Sequence, residues 1–324
     1  MKTWLVGVVV LSCVSWSACG DDSEPPDSGS PPTEDGATPD VGAPDTGDAS
    51  DVSACAVSVP ALEPGDPTGH ADPFGARAAG QARAGVIVRD EDLPHGFIPR
   101  ERVGDFALVN DRIGVVVESA RPSEGYAPFG GEIVALDRID DEGRFAGDSR
   151  FGETIVAFGN RIVAPESVTV LRDGGDGGPA TVRTLGVLQP LPVLEDLLGA
   201  LIRSHELRAA VDYTLAPGSS VVEVTAHLEN PNPSRARYPQ LIHGMLHRYR
   251  LQEMAVGHGF DVPGSERLPF IGFAGDALGF AWVVEGGLAY VFDDGGISLY
   301  GGPETVAEPC AITEVALGRV VAGG

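Results

Sequence analysis

The run ERVGDFALVNDRIGVVV, residues 101–117, decides the fold. Two apolar segments, Phe106-Ala107-Leu108-Val109 and Ile113-Gly114-Val115-Val116-Val117, flank Asn110-Asp111. Asn and Asp tolerate left-handed backbone, so such a pair between short β-prone runs marks a hairpin turn. The same grammar recurs along the chain. Residues 282–284 and 288–292 flank Glu285-Gly286-Gly287, and 293–296 then turns into 297–300. SVTVLRDGGDGGPATVRTLG (167–186) and YTLAPGSSVVEVTAHLENPNPS (213–234) both read strand–turn–strand. In the second, Val222, Val224, Ala226 and Leu228 alternate with Glu223, Thr225, His227 and Glu229, the pattern of a half-buried strand.

One interval breaks the rhythm. LPVLEDLLGALIRSHELRAA, residues 191–210, sets Leu194, Leu197, Leu198, Leu201 and Ile202 at helical spacing, so any helix is expected within about 192–208. Short strands, glycine-rich turns and no βαβ alternation predict an all-β fold: a large antiparallel β-sandwich over residues 55–324, with at most one short helix.

The N-terminus reads differently. Residues 4–11 form an apolar core of export-signal length after Met1 and Lys2. A cut after Ala18 would put Trp16 at the position that wants a small residue, whereas Ser17-Ala18-Cys19-Gly20 suits a lipoprotein signal spanning 1–18. Cys19 is therefore the lipidation candidate, because diacylglycerol is attached through sulfur; Cys13 competes less well, the apolar run continuing past it. Residues 20–54 hold ten acidic residues, no basic ones and few apolar ones. That composition predicts a disordered tether, spanning about 30–35 Å root-mean-square as a flexible chain. The expected location is the cell envelope of a Gram-negative bacterium, with a lipid anchor in the outer membrane and the domain facing either the periplasm or the surface.

The net charge is −25, and the only lysine is Lys2. Such acidity disfavours nucleic acid and anionic headgroups as partners. Without a mature lysine, the Walker phosphate loop, Schiff-base and serine–lysine chemistries are excluded. Beyond the signal, Cys55 and Cys310 remain; in an oxidising compartment they are expected to pair.

Candidate chemistry is sparse. YPQLIHGMLHRYR (238–250) and His258 bring together His243, His247, Arg248, Tyr249 and His258 as a candidate ligand-binding set, with Arg250 and Glu253 nearby. Two imidazoles four residues apart lie about 6 Å from one another on a helix but about 13 Å on a strand, too far to share one zinc. The β context and Gly244 favour the strand, so neither metal nor cofactor is expected. RDGGDGGP (172–179) and DRIDDEG (137–143) read as turns rather than phosphate or calcium loops, since ligand spacing is missing. No GxSxG, HExxH or CxxC occurs, so no catalytic residue is assigned. Aromatic residues make up 6% of the chain, few for stacking on sugars.

The 101–117 hairpin resembles the "GD-x-x-L-x-N-D-R" opening of an N-terminal β-sandwich in certain large exported bacterial proteins. Further matching pieces are FGGEIVALD (129–137), RFGE (150–153), DGGDGGPATVR (173–183) and YTLAPGSSVVEVT (213–225). The resemblance covers about residues 85–320 and implies a sandwich similar to the galactose-mutarotase-like supersandwich. In the resembled proteins that sandwich precedes a PHP-like metallohydrolase domain of the CehA/McbA type; this chain ends where that histidine-rich domain would begin, so no catalytic residue carries over. The expectation is a non-catalytic accessory or binding module, for a carbohydrate or an envelope protein. The alternatives are the N-terminal module of a truncated metallohydrolase, or a mutarotase-like carbohydrate-active sandwich.

Overall fold

The computed structural model describes residues 55, 58–96, 99–147, 149–192, 205–238, 243–247, 252–255, 267–275, 277–293 and 298–323, which belong to one compact unit, Ser53–Gly324. It is built almost wholly of antiparallel strands, as the sequence predicts. In chain order these are β1 (Ala82–Val86), β2 (Phe106–Asn110), β3 (Ile113–Val117), β4 (Ile133–Arg138), β5 (Phe151–Phe158) and β6 (Arg161–Arg172). Next come β7 (Ala180–Pro190), β8 (Arg208–Leu215), β9 (Val221–Asn230), β10 (Ala236–Tyr238), β11 (His243–His247) and β12 (Gln252–Ala255). The last are β13 (Arg267–Ala274), β14 (Gly279–Asp293), β15 (Ser298–Gly301), β16 (Thr305–Ala307) and β17 (Ala311–Gly323).

β1 to β4 form a four-stranded sheet in sequence order. Eleven strands form a large sheet, ordered β12-β13-β14-β15-β11-β5-β6-β7-β8-β9-β17, and β17 pairs with β14 as well. The main core lies between the two sheets, where Leu108, Val115 and Leu136 meet Val182, Val211, Tyr213, Val224 and Ala226. A second apolar layer, including Phe74, Ile87, Val109, Val116 and Phe145, covers the opposite face of the four-stranded sheet. All five residues of β2 and all five of β3 are consequently buried. Burial on both faces explains why these strands read as continuous apolar runs rather than alternating ones.

The 106–117 hairpin forms, but its turn sits at Asp111-Arg112, one residue later than Asn110-Asp111. Asn110 closes β2, and its side-chain Oδ1 accepts the N–H groups of Arg112 and Ile113. The 167–186 and 213–225 hairpins also form, as β6–β7 and β8–β9. The expected turn at Glu285-Gly286-Gly287 does not: β14 runs through it from Gly279 to Asp293. Gly286 and Gly287 adopt φ of 84° and 78°, kinking the strand instead of reversing it. The kink lets the first half of β14 pair with β17 and the second half with β15. Of the interval to which any helix is expected to be confined, residues 193–204 lie outside the described residues, and Arg208 opens β8 at its end.

The segment leading into the domain is strapped over the outer face of the large sheet. Leu62 packs on Leu185 and Ala210, its N–H donates to Glu229 Oε2 at 3.0 Å, and Asp66 pairs with Val170. Upstream, Cys55 is bonded to Cys310 with a Cα–Cα separation of 5.5 Å, across 255 positions of sequence. Removing this cross-link, as in Cys310→Ser, is expected to lower unfolding free energy by up to about 5 kcal/mol in the chain-entropy account. Urea melts of the two proteins check the loss, and non-reducing peptide mapping of the parent should recover the Cys55–Cys310 pair.

Candidate functional site

The polar residues concentrate where the four-stranded sheet meets the large one. Asn110 is fully buried, and its Nδ2 donates to the carbonyls of Ala216 and Ser219 at 2.9 and 2.7 Å, tying the β2–β3 turn to the β8–β9 turn. At the start of β4, Glu132 reaches across to the other sheet. Its Oε2 accepts the Thr154 and Tyr213 hydroxyls at 3.2 and 3.0 Å, and its Oε1 accepts the Val156 N–H at 3.3 Å. Beside it, the Gly131 carbonyl accepts the Thr184 hydroxyl at 2.7 Å. Gly131 has φ of 89°, and a Cβ there would lie 2.4 Å from Thr184 Cγ2, so only glycine allows this approach.

Successive residues of β5 serve opposite faces. Thr154 points into the joint, while Glu153 points to the loop 119–130. One Glu153 oxygen accepts the Tyr126 N–H and the Arg100 guanidinium, and the other accepts the Ala127 N–H. Arg100 also lies 5.4 Å from the centre of the Tyr126 ring. Tyr126 is 44% exposed, a firmly backed aromatic ring at the surface. Alongside, Asp105 accepts the Ser119 N–H and hydroxyl and pairs with Arg121, which also pairs with Glu118.

The electrostatics follow from burial. Burial pushes the Glu132 carboxyl up to about 8, against the Val156 and Tyr213 hydrogen bonds, and the neighbouring Glu153 charge adds to the rise. Burial likewise raises Glu153, opposed by the Tyr126 N–H and Arg100, and raises Glu118, opposed by Ser123 and Arg121. On the outer face of the large sheet the balance reverses. Burial would raise Asp212, but the two-pronged Arg183 contact, at 2.7 Å on each oxygen, and His227 hold it below the usual carboxylate range.

His243 and His247 lie on β11, opposite Val156 and Phe151 of β5, with a register shift between Leu246 and His247. The strand assignment, rather than a helix, therefore holds. Arg248, Tyr249, His258 and Cys19 lie outside the described residues. The two anticipated turns are turns: Asp173 and Asp176 each accept an N–H two residues on, and Asp140 accepts those of Glu142 and Arg144. Among the described residues, no group of three or more His, Cys, Asp or Glu side chains is arranged to hold a metal ion. Glu132, Glu153 and Tyr126 went unassigned as site residues in the sequence. The FGGE and RFGE pieces that contain both carboxylates carried the only signal.

No family model and no curated protein matches this chain. Among solved structures it is similar to an α-mannosidase from Enterococcus faecalis, with 12% identity over 67% of this chain and 29% of that one, TM-score 0.34. A TPR-domain containing protein from Parabacteroides distasonis matches at 10% identity over 67% of this chain and 46% of that one, TM-score 0.33. A galactose mutarotase-like protein from Lactobacillus casei matches at 12% identity over 68% of this chain and 100% of that one, TM-score 0.33. The chain thus spans less than half the length of the first two, and at these identities no residue role is carried over.

Asn110 offers a direct check on the joint. Asn110→Ala removes four hydrogen bonds from a fully buried side chain, while the Ala216 carbonyl keeps the Ser219 N–H, so unfolding free energy should fall by about 1–3 kcal/mol, read from urea midpoints.

Proposed function

We propose that this protein is a lipid-anchored, exported β-sandwich module of the cell envelope, held on its acidic tether by diacylglycerol at Cys19 and acting as a non-catalytic accessory or binding component. The observation that carries the reading is the Cys55–Cys310 disulfide, which joins the domain's first described residue to the turn before β17. Disulfides persist in oxidising compartments, and this one sits where the 20–54 segment enters the fold. Two or more acyl chains at Cys19 would hold the protein at a bilayer without any other membrane-binding surface.

Carbohydrate is the ligand class attached to this reading. Tyr126 presents one exposed ring, with its backbone fixed by Glu153 and Arg100 beside it, and a preorganised ring loses little entropy on stacking. The RNA and DNA alternatives are disfavoured by the net charge of −25.

Two experiments test the reading. Metabolic labelling with a fatty-acid analogue should mark the parent protein, and Cys19→Ser should abolish the label and release the domain or stall its precursor. A correctly processed Cys19→Ser protein that remains wholly in membranes would place the anchor elsewhere. In a glycan array on residues 55–324, Tyr126→Ala should weaken any hit about tenfold, the scale of one stacking contact; a hit indifferent to Tyr126 removes that residue from the ligand site.

A further inference from the structure

We propose that the joint between the two sheets is locked by a proton resident on Glu132, so that the domain is held more firmly in mild acid than in mild alkali. The inference is independent of the anchoring reading and starts from geometry. Glu132 is buried, and its carboxyl meets the side-chain hydroxyls of Thr154 and Tyr213 and the Val156 N–H, all from the large sheet. The guanidiniums of the cluster are committed elsewhere: Arg100 to Glu153, and Arg121 to Asp105 and Glu118. Among the described residues, an ionised Glu132 would therefore be a buried charge facing a second carboxylate with no guanidinium left to pair it, and such a group stays protonated instead.

Burial and the neighbouring carboxylates act in the same sense, against the hydrogen bonds from Val156, Tyr213 and Thr154. Glu153 on β5 repels a charge on Glu132, and Glu118 at the end of β3 repels one on Glu153. From β8, Tyr213 is itself pushed upward by burial and by Glu132, so it offers a hydroxyl and not a charge. Beyond it on the outer face, Asp212 is occupied by Arg183 and His227. A protonated Glu132 has one hydrogen to give, and the Thr154 and Tyr213 oxygens lie within reach to accept it. Thr154 Oγ1 already accepts the Ile133 N–H at 3.2 Å, so the three side chains form a short chain of hydrogen bonds that links β4, β5 and β8.

The sign of the pH dependence follows. The ordinary glutamate value is 4.5, and the folded value is raised to about 8. Between them the unfolded chain has released its proton while the folded chain keeps it. The contribution is thus complete below the unfolded value and is lost as pH rises through the folded one. Over this window the folding equilibrium constant of the parent, relative to Glu132→Gln, should fall about tenfold per pH unit, or about a hundredfold between pH 5.5 and 7.5.

Infrared difference spectra of residues 55–324 test the proton directly. A band from a protonated carboxylic acid should persist in the folded domain at pH 7, disappear with a midpoint near 8, and be missing from Glu132→Gln. Absence of the band from the folded parent between pH 6 and 7, or its survival in Glu132→Gln, would overturn the proposal. Should Glu132→Gln not fold, Glu153→Gln removes the neighbouring charge: the midpoint of the band should move down, and an unmoved midpoint counts against Glu132 as its source.

Discussion

The contact between β4 and the large sheet organises this molecule. An apolar interface alone holds two sheets together without fixing their registry, because side-chain packing tolerates sliding. Here the Glu132 carboxyl and the Gly131 carbonyl reach the side chains of Thr154, Tyr213 and Thr184 on β5, β8 and β7, three strands of the opposing sheet. At the far end of the hairpin, Asn110 does the same for the β8–β9 turn. Both pins are buried, so a registry that failed to satisfy them would leave polar groups without partners, at about 1–3 kcal/mol each. The polar pins select one arrangement, and the apolar core between them supplies the cohesion.

This accounts for several conspicuous glycine-rich and polar pieces of the sequence. Asn110 in the first hairpin, Gly131 and Glu132 in FGGE and Glu153 in RFGE contact segments from other parts of the sequence, while Asp105 closes the ends of the first hairpin and Arg183 joins the neighbouring strands β7 and β8. They are architectural residues. Such residues join the sheets and leave a ligand to the loops, among which 119–130 is fixed by Glu153 and Asp105.

Legibility in the sequence followed burial and turn chemistry. The β2–β3, β6–β7 and β8–β9 hairpins could be read because a turn-forming run separates two apolar segments that pair locally. The Gly286-Gly287 pair misled because left-handed backbone serves a kink as well as a turn; which one forms depends on whether β13, β15 and β17 wait alongside, and those neighbours are invisible locally. Glu132 receives no role from the sequence, since nothing near it announces Tyr213, 81 positions away. The four-residue spacing of His243 and His247 reads as a strand from the β context and Gly244, and β11 is one. Charges and histidines are conspicuous in a sequence, whereas their partners are set by topology.

The central claim is that buried hydrogen bonds, acting together, hold the two sheets in one registry. A double-mutant cycle on Glu132→Gln and Tyr213→Phe, read as unfolding free energies at pH 6, tests it most directly. Coupled members of one network should show a coupling energy of about 1–2 kcal/mol. Losses that simply add would mean that the two groups contribute separately, and that packing alone positions the sheets.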